Sequence, residues 1–308
     1  MTSDDEQLHH ERLQKVLENV VPYVTNEALL LAQFELLQEG KFARLWPKND
    51  NDGFNKRMEQ VEEHLGGPPR FYVVRDGEEA KVPPADNYPH AAMQEAVEVF
   101  ERARKSVVRA NVFMTGSSLL AMRPDLMELP KEPEMAAVVI RLAEEAFWEH
   151  AEAAFIRLSS FWDRIGQLFD FAFFNIRKFD QNGFSAVMDR VHNNVAPMDK
   201  QLKDSSSWKR LRTFQTSEED TGLKWLLQRR NLIVHSLHLH PVTTDEEGMF
   251  KSQFNHLDAA HREKLRPRDP DGEVTALVGQ LDQAGSLFAE CLSLVLLSRS
   301  RKIDTWLR

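Results

Sequence analysis

Residues 147–172 read FWEHAEAAFIRLSSFWDRIGQLFDFA. Phe147, Ala151, Ala154, Leu158, Phe161, Ile165, Leu168 and Ala172 recur in steps of three and four. At 3.6 residues per turn that spacing lays a single apolar stripe along a helix. The pattern extends to residues 134–179 as one long helix or two in succession, and Gln181-Asn182-Gly183 punctuates its end. A shorter helix is predicted over 184–195, stopping before Pro197, followed by a basic and polar stretch over 199–213. Ser217 with Asp220 resembles a capping box and predicts a helix running to about Leu239, where Pro241 ends it. The last helix, over 272–303, carries Leu277, Leu281, Ala284, Phe288, Leu292 and Val295 on one face. The expected fold class is therefore all-α, with an antiparallel helical bundle over 134–304.

Upstream, residues 8–38 read as a helix with Leu13, Val16, Leu17, Val20 and Val21 at helical spacing, and Pro22 is expected to kink or split it. Residues 48–53 are a loop by composition, and 58–65 form a short helix stopped by Gly66-Gly67-Pro68-Pro69. A small β-hairpin is predicted where the aromatic and β-branched run 70–74 meets Asp76-Gly77 and returns over 80–82. Residues 89–112 predict one more helix, with Met93, Val97 and Phe100 on a stripe. Three prolines (Pro124, Pro130, Pro133) then mark an expected domain boundary. It separates a mostly helical N-terminal region, 1–130, from the bundle.

Bulk composition narrows the function classes. The chain has 308 residues, 42% of them apolar, and a net charge of −9. A net acidic chain does not coat nucleic acid wholesale, because that needs a basic face. Cys291 is the single cysteine, so no intrachain disulfide or multi-cysteine zinc site can form, and its apolar neighbours predict a buried inert thiol. Residues 1–7 are acidic and polar, unlike a secretory leader, and no apolar run spans a membrane. A cytoplasmic protein with no membrane partner is expected. Phosphate-binding glycine loops, serine-hydrolase elbows and His-Glu-x-x-His are absent.

One segment carries candidate chemistry: Arg229-Arg230-Asn231-Leu232-Ile233-Val234-His235-Ser236-Leu237-His238. On a helix Asn231 and His235 lie one turn apart on the same face, and His238 continues it. Arg230 points about 140° away from His235, so it reaches the same groove only through its length. Imidazole can move a proton at neutral pH, and a guanidinium fork matches a phosphate. The bland alternative makes Arg230 a solvated surface cation and His235 a hydrogen-bonded core residue.

Arg230-Asn231-x-x-x-His235 resembles the Arg-polar-x-x-x-His motif of the HEPN superfamily, an all-α group rich in prokaryotic ribonucleases, toxins and defence proteins. Phe161-Trp162-Asp163-Arg164-Ile165-Gly166-Gln167-Leu168 is similar to an early helix of that fold, and the likeness covers roughly residues 136–303. The resemblance implies a metal-independent endoribonuclease whose site is completed in a homodimer, with RNA as substrate and no cofactor. Arg230, Asn231 and His235 would be catalytic, and Asp163 and His238 would support them from behind. An antitoxin or other regulator is a further implied partner. Leu237 stands where toxin-type members carry tyrosine. The alternative on the same fold is a non-catalytic module that binds RNA, a nucleotide or a protein.

Local charge agrees with an RNA partner. Between 200 and 240, cations outnumber acids eight to four. Arg229, Lys209, Arg210 and Arg212 are candidate phosphate contacts, and Trp208 is a candidate stacking platform for a base. His235 and His238 have no supporting carboxylate at a helical offset, and His240, His256 and His261 fall in a polar connection, so no metal site is expected.

Overall fold

The computed structural model describes residues 3–46, 50–66, 87–123, 133–177, 183–235 and 270–298. They form α1 (Ser3–Leu37), α2 (Asn51–Gly66), α3 (Tyr88–Met122), α4 (Pro133–Phe174), α5 (Phe184–Asn194), α6 (Lys200–Asp204), α7 (Ser206–Thr216), α8 (Leu223–His235) and α9 (Pro270–Leu297). No strand occurs among the described residues, so the all-α class holds. The predicted hairpin at 70–82 lies outside them.

The chain divides into two compact units, Met1–Phe42 and Ala43–Arg308. In the first, α1 runs unbroken through Pro22, contrary to the expected split. An interior proline removes one N–H bond and crowds the carbonyl four residues back, and the helix continues on either side of it. Gly40, at φ 83°, takes the left-handed conformation that turns the chain after the helix. Phe42 folds back toward Phe34, ring centroids 6.2 Å apart.

The second unit is built around α4. Contacts between α3 and α4 pair Tyr88 with Phe171, Arg164 with Glu95, Phe100 with Phe161, Arg157 with Ser106 and Phe113 with His150. One number rises as the other falls, so α3 and α4 are antiparallel neighbours. The same reading holds between α9 and the α7–α8 segment, where Glu273 meets Arg229, Gln280 binds the Asp220 and Gly222 carbonyls, and Glu290 takes Ser207 and Arg210. α5 and α7 also run antiparallel, through Asp189 with Arg212 and Ser185 with Gln215.

This arrangement corrects the expected boundary near 124–133. α3 is the main packing partner of α4, and the compact unit begins at Ala43 rather than at residue 134. The prolines of that stretch mark a connection inside one unit. Ala43 and Arg44 lie against Gly285 of α9, where a Cβ would come within 2.8 Å of the Arg44 carbonyl. Trp46 stacks on Phe54 at 4.3 Å, and Phe54 reaches Phe288.

Every residue of the predicted α4 stripe is buried, but so are Phe155, Trp162, Phe169 and Phe173 on its flanks. A helix covered on more than one side is a central element, enclosed here by α3, α5, α8 and α9. The polar stretch over 199–213 also folds into two helices. Asp199 accepts the Leu202 N–H and Ser205 accepts the Trp208 N–H, both at 3.1 Å, so each helix has its N-cap. Ser217, by contrast, does not cap α8. Its hydroxyl accepts the Glu219 N–H in a tight turn that closes at Gly222, and α8 starts at Leu223.

Candidate functional site

Two glycines bring the start of α5 onto α4. A Cβ on Gly166 would lie 2.8 Å from the Phe184 Cα, and one on Gly183 would lie 2.5 Å from Asp163 Oδ1. Real Cβ atoms do not approach so closely. At Gly183 the neighbour is the tip of the Asp163 side chain, whereas the Gly166 contact is with backbone, so the crossing requires glycine there. Its consequence is a carboxylate set at the N-terminus of α5, where free N–H groups need acceptors. Asp163 accepts the backbone N–H of Phe184.

Arg230, on α8, is half-buried and close enough for its charge to act on Asp163, as does Arg164. Burial pushes the Asp163 carboxyl above the ordinary carboxylate range, and the Phe184 N–H, Arg230 and Arg164 only partly offset it. Arg230 Nη1 also donates to Asn231 Oδ1 at 3.0 Å. The charge of Arg230 thus reaches a carboxylate 67 residues away in sequence, while its guanidinium is hydrogen-bonded to its neighbour Asn231. Arg164 donates to Gln167 at 3.2 Å and pairs with Glu95 at 3.3 Å.

The register of α8 separates two faces. Leu223, Leu226, Arg229 and Leu232 are buried, whereas Lys224, Gln228 and Asn231 are exposed. His235 is the last described residue of α8, and its backbone position falls one turn beyond Asn231 on the exposed stripe. His238 lies outside the described residues, as do His240, His256 and His261.

The expected RNA contacts fare differently, and two need correction. Arg229 is 4% exposed and ion-paired with Glu273, with its guanidinium 5.3 Å from the Trp225 ring. It faces the core because it lies 100° around the helix from Arg230, so it presents nothing to a phosphate. Trp208 is 5% exposed, stacked beside His192 and covered by Arg212, which leaves no open ring face for a base. Arg210 pairs with Glu290. Arg212 bonds Asp189 at 2.6 Å and Gln215 at 2.5 Å. Burial alone would raise the Asp189 carboxyl, but hydrogen bonds from Arg212 and Gln215, with the charges of Arg212 and His192, hold it below the ordinary range. Lys209 stays exposed and donates to the Asp204 carbonyl at 3.1 Å. The apparent cation excess of residues 200–240 is largely met by acids from α5 and α9 that a local count omits.

Cys291 is fully buried, and burial raises its thiol well above the ordinary value, with Glu290 adding to the effect. A thiol so protonated is no nucleophile. Among the described residues no helix is long and apolar enough to cross a membrane. The chain matches no protein-family profile, no curated protein and no solved structure.

Proposed function

We propose that the chain is a metal-independent endoribonuclease of the HEPN type, working through Arg230, Asn231 and His235. The observation that supports this reading is that Arg230, hydrogen-bonded to Asn231 at the edge of the outward stripe of α8, acts through its charge on the buried Asp163 of α4. His235 takes the proton of a ribose 2′-hydroxyl, and the 2′ oxygen forms a bond to phosphorus as the bond to the 5′ oxygen breaks. The leaving 5′ oxygen takes up a proton from water, and His235 returns its proton to solvent. The products are a 2′,3′-cyclic phosphate and a 5′-hydroxyl. Arg230 offsets the charge growing on the phosphoryl oxygens, and its hydrogen bond to Asn231 helps to orient it. A homodimer, RNA as partner and a defence setting belong to this proposal.

A second reading, a non-catalytic protein-interaction module on the same helices, is favoured by one observation: Arg210, Arg212 and Arg229 are already ion-paired within the fold and not offered to phosphates. The test is to incubate mixed RNA with the purified chain in EDTA, alongside Arg230→Ala and His235→Ala. Cleavage by the wild type falling at least about a hundredfold in both variants, with cyclic phosphate ends, supports the enzyme. Intact RNA, or variants that cut as well as the wild type, overturns it.

A further inference from the structure

α1 displays an apolar surface that a solvated helix has no physical reason to keep. Leu13, Val16, Val20, Leu30 and Leu37 are 48%, 62%, 45%, 50% and 82% exposed, and Leu17 and Val24 lie in water beside them. These residues follow a heptad. Leu13, Val16, Val20, Tyr23, Glu27, Leu30, Phe34 and Leu37 advance by alternating steps of three and four, and all but Glu27 are apolar. One flank of this seam is apolar (Leu17, Val24, Leu31), and the other carries carboxamides (Asn19, Asn26, Gln33). The seam spans 25 residues, about 37 Å, or some three and a half heptads, the length at which such a repeat argues a coiled coil.

We infer that α1 pairs antiparallel with α1 of a second copy of this chain. Glu27 decides the direction. A parallel in-register pair sets the two Glu27 carboxylates against each other inside an apolar seam, where like charges repel. In an antiparallel pair centred between Tyr23 and Glu27, each Glu27 instead meets a Tyr23, whose hydroxyl donates to the carboxylate. The same offset sets Leu13 against Leu37, Val16 against Phe34 and Val20 against Leu30. On the apolar flank Leu17 lies beside Leu31, and Val24 beside its own copy. On the other flank Asn19 meets Gln33, and Asn26 meets its own copy, amide to amide. Pro22 falls on the outer face, so its ring stays clear of the seam. Charge argues against an anionic membrane as the occupant, because Ser3–Leu37 carries seven acids against two cations.

The inference does not depend on whether the chain cleaves RNA. Its test is the mass of the full chain in solution at about 20–50 µM, a range in which an ordinary micromolar pair is formed. A species of twice the 35.6 kDa chain mass is expected, and Val20→Glu with Leu30→Glu should return it to one chain. Direction is read from single cysteines under mild oxidation, since buried Cys291 is silent. Asn26→Cys should cross-link to its own copy. Val20→Cys, which would face itself only in a parallel pair, should not. A monomeric wild type, cross-linking by Val20→Cys without Asn26→Cys, or a dimer that survives both glutamates overturns the inference. Asn26 is exposed and polar, so the cysteine result decides even where the double-glutamate chain fails to fold.

Discussion

Asp163 shows how one residue joins local to distant structure. It sits on α4 within a strongly helical run, yet its partners come from the start of α5 and from α8. Its carboxyl is raised by burial, so the folded chain holds that proton more tightly than the unfolded chain does. The sign follows: ionisation costs stability, the cost is absent at low pH, and it appears as pH rises through the interval above the ordinary carboxylate value. Asp163→Asn keeps an acceptor for the Phe184 N–H and removes the charge. Thermal melts should find it at least as stable as the wild type at pH 7, with the difference shrinking toward pH 4. Asp163→Ala removes the acceptor as well and should lose about 1–3 kcal/mol at either pH. If the Asp163→Asn chain were the less stable at pH 7 but not at pH 4, attraction to Arg230 would outweigh the burial cost. The sequence supplied Asp163 and Arg230 as separate candidates. Nothing local joined them, because their relation depends on how α8 packs against α4.

At the scale of the element, α8 turns on its register. Adjacent arginines have opposite fates: Arg229 is locked against Glu273, and Arg230 stands at the edge of the outward stripe. Both members of the buried pair are almost wholly withdrawn from water, so removing either alone takes a close opposite charge from a buried ion. Arg229→Ala should lower stability by about 3–5 kcal/mol in denaturant titration, whereas Arg229→Met with Glu273→Leu together should fall near the wild type. Equal losses in the single and double variants would sink this account of the pair. The sequence placed α8 and gave its phase, but it could not say which face was covered. α6 and α7 were missed for a related reason. Their caps, Asp199 and Ser205, are visible in the sequence, yet the polar composition between them hid Leu202, Trp208, Leu211 and Phe214, which are buried.

For the whole molecule, the division at Phe42 and Ala43 predicts what can be cut away. A chain starting at residue 43 should melt cooperatively within about 4 °C of the full chain, as followed by circular dichroism. A chain starting at residue 134 loses α2 and α3, uncovers the α3-facing side of α4, and should show no cooperative melt. A cooperative melt from that shorter chain would restore the boundary at the prolines. The all-α class, the α4 stripe and the helical phase of Arg230, Asn231 and His235 were determined by the sequence itself, since backbone periodicity is local and repeats every few residues. Tertiary structure alone decided that α4 is enclosed, that Arg229 and Trp208 are buried, and that the charge of Arg230 reaches Asp163. Those outcomes depend on which helix covers which face, and packing between elements far apart in the chain leaves no periodic trace in either segment.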